Sequence, residues 1–243
     1  MYQRLKFPNS MEQITVQDFS YYHHYRDPVK GVSLNIRAGQ ITCLLGGHRC
    51  GKSTIINLLA RRYPYLKGSI CVDGQELNSL DKQSWLEEVE VIPQKDDYPY
   101  ETVRQSIAGK NYGTDEEANV KASCEIYGLD QYFIEMEKGY ETLIGDGSVP
   151  LSQAQSQLIA VAGALYQAPE LLILDEATSA MDHKMEQHVL DILHRIKNYM
   201  IILLVTERPR IAYRSDYVYM LEGGQITKEG DPEAIAETLE NLI

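Results

Sequence analysis

Two short stretches of this chain carry residue types that can do phosphate chemistry. The first, Gly46-Gly47-His48-Arg49-Cys50-Gly51-Lys52-Ser53-Thr54, satisfies the spacing G-x-x-x-x-G-K-[ST]. It lies between an apolar run, Ile41–Leu45, and a helix-like segment through Leu58–Arg61, which is the setting the spacing requires. Backbone N–H groups of such a loop, and of the helix that follows it, point at an anion that the helix dipole also favours. Lys52 would bring a point charge to the β- and γ-phosphates, and the Ser53 hydroxyl a ligand for Mg2+. A glycine-rich connector with an incidental Lys-Ser pair is the plainer alternative, and the strand–loop–helix order weighs against it. These residues predict a nucleoside triphosphate site.

The second stretch is Leu171-Leu172-Ile173-Leu174-Asp175-Glu176, an apolar strand that ends in two carboxylates. Ligands of parallel sheets bind at the carboxyl ends of the strands. There Asp175 would hold Mg2+ through water, and Glu176 would polarise the attacking water as a general base. A lone Asp-Glu after a strand is more often a solvated turn. Beside a phosphate loop the two motifs complete one site.

The elements that must position these groups follow an α/β pattern of short apolar strands alternating with longer amphipathic segments. Strands are expected at Ile14–Phe19, Val32–Ile36, Ile41–Leu45, Ser69–Val72, Val89–Ile92, Leu171–Leu174, Ile201–Val205 and Tyr217–Leu221. Asp73-Gly74 reads as a tight turn, Pro93 as a stop, and the segment after Asp231-Pro232 as a closing helix. From about Tyr100 to Tyr140 the chain turns polar and helix-like with no good strand, as an inserted helical subdomain would. A net charge of −12 argues against a nucleic-acid binder. Cys43, Cys50, Cys71 and Cys124 lack metal-type pairing, which predicts reduced thiols and no zinc site. No window approaches the roughly 20 apolar residues of a membrane-spanning helix, and the N-terminus lacks the apolar run of a secretory signal.

In this order the segments resemble the nucleotide-binding domains of ABC transporters over nearly the whole chain. The resemblance implies a RecA-like P-loop NTPase core from residues 1–95 and 151–243, with a small antiparallel β subdomain at its N-terminal end. Residues 96–150 become the helical subdomain. ATP and Mg2+ are the implied ligands: Gly46–Thr54 with Lys52 for the phosphates, and Ser53, Gln94 and Asp175 for the metal. Phe19-Ser20-Tyr21 resembles the adenine loop and makes Tyr21 the stacking ring, with Tyr22 and Tyr25 as neighbours that could substitute; any of the three could instead be an ordinary surface or core aromatic. Gln94, after Val91-Ile92-Pro93, resembles the glutamine that reaches Mg2+ and answers to the membrane domain. Ser179-Ala180-Met181-Asp182 looks like the D-loop. Thr142–Gly147 is similar to the loop that exporters place before the signature motif, so the likeness is to exporter-type cassettes. In those the membrane helices are normally fused N-terminally, so this chain is either an excised domain or a subunit whose transmembrane partner is separate. The cytoplasmic face of a membrane is the implied location, with the bacterial inner membrane favoured.

Four departures from the family pattern stand beside the matches. Arg49 occupies a usual glycine of the phosphate loop and must turn outward or add charge near the phosphates. Leu151-Ser152-Gln153-Ala154-Gln155 replaces L-S-G-G-Q: Ser152 and Gln155, which would face the nucleotide of an opposite subunit, are kept, whereas Gln153 and Ala154 add side chains. The following helix, Ser156–Gly163, has no arginine. Glu207, in Val205-Thr206-Glu207-Arg208, stands where the family has a histidine that touches the γ-phosphate. Two like charges 4 Å apart repel by roughly 4 kcal/mol at an effective dielectric of 20, as an upper guide. Glu207 must therefore swing away, pair with Arg208 or bind protonated.

The resulting expectation is a slow ATPase in which Glu176, Lys52, Gln94 and Glu207 set the chemistry. It works with a second nucleotide-binding domain, a heterodimer being slightly favoured over a homodimer, and powers export. The alternative is a nucleotide-gated dimerisation cassette that binds ATP and hardly hydrolyses it. Relatives in DNA repair need a long coiled coil, which is missing between Lys52 and Asp175. Translation-type relatives carry two cassettes where this sequence has a single phosphate loop, and a small-molecule kinase would not show this loop order.

Overall fold

The computed structural model describes residues 11–23, 26–64, 67–95, 98, 99, 101–109, 113, 116–145, 148 and 150–240. The chain divides by its contacts into two compact units. Met1–Val91, Glu170–Asp175 and Leu193–Ile243 form the first; Ile92–Pro169 and Glu176–Ile192 form the second. The second is wider than the segment 96–150 because residues 151–169 and 176–192 group with it.

The first unit opens with β1 (Gln13–His23) and β2 (Arg26–Arg37), paired antiparallel from Gln13↔Arg37 to His23↔Arg26. β3 (Ile41–Leu45) is buried at every position, as a central strand must be, apolar but for Thr42, and leads into α1 (Lys52–Leu59). β4 (Ser69–Val72) pairs with β1, and β5 (Gln75–Glu76) folds back on it through Asp73 (φ 48) and Gly74 (φ 81). Two left-handed residues in a row make the two-residue hairpin turn that Asp-Gly signals. α2 (Lys82–Glu88) is capped by the Asp81 carboxylate, which accepts the Ser84 N–H at 2.8 Å, and runs into β6 (Val89–Ile92).

In the second unit, β7 (Glu101–Thr102) is followed by α3 (Val103–Ala108), α4 (Glu116–Tyr127) and α5 (Asp130–Ile134). β8 (Leu143–Ile144) pairs antiparallel with β7, and α6 (Gln153–Gln167) packs against α3 and α4. The β7–β8 ribbon corrects the expectation of no strand between Tyr100 and Tyr140. Two residues per strand are too few for any alternation to show.

The chain returns with β9 (Leu171–Asp175), then α7 (His183–Ile196), β10 (Ile201–Thr206), α8 (Pro209–Ala212), β11 (Tyr217–Glu222), β12 (Gln225–Gly230) and α9 (Ala236–Glu240). β6, β9, β10, β3, β11 and β12 form one six-stranded sheet in that order. β9, β10, β3 and β11 run parallel, and β12 returns antiparallel along β11. β12, QITKEG, is too polar to read as a strand; its signal was the Gly223-Gly224 turn, left-handed at both residues.

The period of two assigns the sheet's faces. Leu44, Ile173, Leu203, Tyr219 and Leu221 join the large core with the antiparallel sheet and α1, whereas Cys43, Leu45, Val218 and Met220 join Ala212, Ile235 and Leu239. Each such burial contributes about 1.5–3 kcal/mol. Among the described residues no helix is long and apolar enough to cross a membrane.

The two retained signature residues form the N-cap of α6. The Ser152 hydroxyl accepts the Gln155 N–H at 3.2 Å, and the Gln155 side-chain oxygen accepts the Ser152 N–H at 2.9 Å, a reciprocal capping box. Ser152→Ala is expected to cost about 1 kcal/mol, or about 2–4 °C in the unfolding midpoint, read by thermal denaturation.

Candidate nucleotide site

The first unit gathers its site residues where parallel strands end. In register Thr206 stands beside Leu45, and Val205 beside Asp175, so Gly46, Asp175 and Glu207 emerge from neighbouring strand ends. The Gly46 N–H donates to the Thr206 carbonyl at 3.1 Å and fixes the start of the loop. A Cβ at Gly46 would lie 2.5 Å from the Leu221 carbonyl oxygen and 2.6 Å from the Cys50 sulfur, so only glycine fits. A Cβ at Gly47 would meet nothing.

Arg49 lies exposed at φ 62, a left-handed conformation that glycine adopts without strain. Cys50 is buried at 7% exposure, and burial pushes its thiol above the ordinary range against the pull of Lys52. Gly51, at φ 113, ends the loop as the N-cap of α1. That helix has no capping side chain and no acid in its first turn, which suits an anion. Ser53 is exposed at the helix start, and Thr54 is buried.

Lys52 is the centre of this group. Its side chain is 9% exposed, and Nζ donates to the carbonyls of Gly46 and Gly47, the latter at 2.9 Å. It also donates to Glu207 Oε1 at 3.2 Å. Glu207 lies 3.8 Å from the exposed His48 ring as well. Of the expectations for Glu207 (swinging away, pairing with Arg208 or binding protonated) none named Lys52, and the structure places its carboxylate beside that residue and His48. Burial raises the Asp175 carboxyl above its ordinary range, and the charge of Lys52 draws it back.

Tyr21 belongs to the same unit. Its ring stacks on Tyr63, centroids 5.4 Å apart and planes within 4°. Val29, its register partner on β2, would meet a Cβ on Gly51 at 3.1 Å, which brings this part of the antiparallel sheet beside the loop. Tyr22 is 66% exposed, and Tyr25 lies outside the described residues.

The second unit gathers Gln94, Glu176 and the D-loop. Glu176 adopts φ 52, a conformation that costs an ordinary residue about 1–3 kcal/mol and persists only where its surroundings hold it. They do: its carbonyl accepts the Ser179 N–H at 3.0 Å and the Gln157 amide at 3.2 Å. Gln157 is 1% exposed and also reaches the Gln94 carbonyl at 2.9 Å. Gln153 donates to that carbonyl at 3.4 Å, which is where the side chain added at a usual signature glycine goes. Sequence reasoning missed Gln157. Its only signal was its place directly before the apolar run that starts at Leu158, spaced four from Gln153 on one helix face.

A glycine loop between parallel strand and helix, a buried lysine and a carboxylate at the next strand end define a P-loop NTPase, with the RecA-like core, antiparallel β subdomain and inserted helices expected. The comparisons narrow this. The model of the family described as ABC transporter matches residues 29–179, and the chain belongs to that family, as a nucleotide-binding domain of the exporter type. Multidrug resistance protein pgp-1 of Caenorhabditis elegans is 34% identical over 226 residues, covering 91% of this chain and 17% of that protein. An ATP-dependent lipid A-core flippase of Syntrophus aciditrophicus (strain SB) is 29% identical over 231 residues, 95% of this chain and 38% of its own. The structure of a bacterial Atm1-family ABC exporter with ATP bound shares the fold at a TM-score of 0.86 and 24% identity, over 97% of this chain and 42% of that one. The chain thus spans less than half the length of these relatives.

The loop geometry separates its two glycines. Gly46→Ala is expected to lower the unfolding midpoint by several degrees and to weaken Mg-ATP binding. Gly47→Ala should leave the midpoint within about 2 °C, as for a change that meets no neighbour. Thermal denaturation with and without Mg-ATP reads both.

Proposed function

We propose that this chain binds Mg-ATP on the Gly46–Thr54 loop and hydrolyses it slowly, as the motor domain of an ABC exporter. The observation that carries the reading is the buried Lys52 ammonium, set among loop carbonyls at an uncapped helix start and beside Asp175. Lys52 and the loop N–H groups hold the β- and γ-phosphates, and Ser53 and Asp175 hold Mg2+, which neutralises phosphate charge when bound. Gln94, on the second unit, keeps its metal assignment from the resemblance. Tyr21 receives the adenine, one face of its ring being already stacked on Tyr63. Glu176 takes a proton from the attacking water. Ser152 and Gln155 serve the nucleotide of a partner cassette from the start of α6.

The whole assembly would hold a second nucleotide-binding domain, with a heterodimer slightly favoured, and a transmembrane domain fused or separate. It would sit on the cytoplasmic face of a membrane, the bacterial inner membrane being the favoured one, and move substrate outward. The relatives are named for multidrug resistance and as a lipid A-core flippase, and no helix among the described residues is long and apolar enough to line a path for cargo through a membrane.

A second reading, a regulatory cassette with little turnover of its own, is favoured by one contact: Glu207 takes part of the charge that Lys52 would give to phosphate. An ion pair this exposed on one side is worth about 0.2–1 kcal/mol, so it weakens nucleotide binding without preventing it. Steady-state phosphate release with Mg-ATP, for wild type beside Glu176→Gln and Glu207→His, decides between the readings. Slow release that vanishes in Glu176→Gln and rises in Glu207→His is expected. Tight binding with no release in any of the three would favour the regulatory reading.

A further inference from the structure

We propose that Gln157 is a positioning residue that holds the Gln94 loop, the Glu176 backbone and the D-loop in one arrangement. The proposal rests on the hydrolase reading above. Gln157 projects from the first turns of α6 and is 1% exposed. Its amide nitrogen faces three acceptors: the Gln94 carbonyl at 2.9 Å, Ser179 Oγ at 3.1 Å and the Glu176 carbonyl at 3.2 Å. Its side-chain oxygen accepts the Ala180 N–H at 3.0 Å. Two hydrogens serve three oxygens while the fourth contact runs the other way, so both donor hydrogens and one of the oxygen's two lone pairs are engaged.

What those contacts hold has to be held. Glu176 has a left-handed backbone, and the turn after it is closed by the Ser179 N–H to the Glu176 carbonyl at 3.0 Å and the Met181 N–H to the Thr178 carbonyl at 3.3 Å. The carboxylate can face a water only if that backbone stays where it is. Gln157 ties it on one side to the residue after Pro93 and on the other to Ser179 and Ala180. A shift of Gln94 or of the D-loop would therefore reach the Glu176 peptide through one amide group. Gln157 touches no reacting atom; it acts by placing the group that does.

Gln157→Met keeps the volume and removes both hydrogen-bonding ends. Gln157→Glu keeps the volume and the acceptor for Ala180, and puts an acid against three oxygens. For both, kcat for phosphate release from Mg-ATP is expected to fall on the order of tenfold to a hundredfold, the cost of a small misplacement. KM and the Mg-ATP dissociation constant should stay within a factor of about two, since the phosphate loop is untouched. Amide hydrogen exchange of residues 177–181 should accelerate in Gln157→Met, most at Ala180, with the C-terminal half of α6 unchanged. Unaltered kcat in both variants, or a fall matched by an equal loss of nucleotide affinity, would overturn the proposal. If wild type itself releases no phosphate, the hydrolase reading fails separately, and unchanged exchange at 177–181 would then sink the positioning role.

Discussion

A single ammonium group organises the first unit. Lys52 Nζ is nearly buried, and a buried cation must be met by oxygens or neutralised. Gly46 and Gly47 meet it with carbonyls, which curls the loop around the side chain. That curl needs β3 to end at Leu45 and α1 to begin at Lys52, and it needs Gly46 pressed between Leu221 and Cys50. The parallel strands then bring Asp175 and Glu207 to the same end of the sheet. At the position where the sequence resemblance implies a histidine, a carboxylate stands beside the lysine. The residue that looked from the sequence like a source of repulsion toward phosphate makes an attractive pair with the lysine, and on the proposed reading ATP competes with it.

On the proposed reading the two units divide the chemistry between phosphate and water. The first holds the Gly46–Thr54 loop, Asp175 and Tyr21. The second holds Glu176, with the glutamine and D-loop residues that fix its backbone. Asp175 and Glu176 are adjacent in sequence and fall on opposite sides of that division. The Gln157 contacts concentrate where the chain crosses it, around a residue whose φ of 52 would relax if left alone.

Most of the first unit was legible from residue types. Ile201–Val205 and Leu171–Leu174 are apolar at every position, and Ile41–Leu45 at all but Thr42, because parallel central strands are buried on both faces, and such runs are hard to mistake. The Gly46–Thr54 spacing is equally specific, because loop, lysine and helix start all have to coincide. Polar edges and long-range contacts were not legible. β12 alternates too weakly, and the β7–β8 ribbon is two residues wide. The Lys52–Glu207 pair spans 155 positions and shows only when β3 and β10 are set side by side. Gln157 carried no reading from the sequence, and its burial and its contacts are what set it apart.

The central claim is that Lys52 receives the phosphates of Mg-ATP and must leave Glu207 to do so. Its most direct test is calorimetric titration of Mg-ATP into wild type, Lys52→Ala and Glu207→Gln at one ionic strength. The account predicts strong loss of affinity in Lys52→Ala and a gain of up to about fivefold in Glu207→Gln, the value of an ion pair worth about 1 kcal/mol. Equal affinity in all three proteins would contradict it, because neither the lysine nor the acid beside it would then be sensing nucleotide.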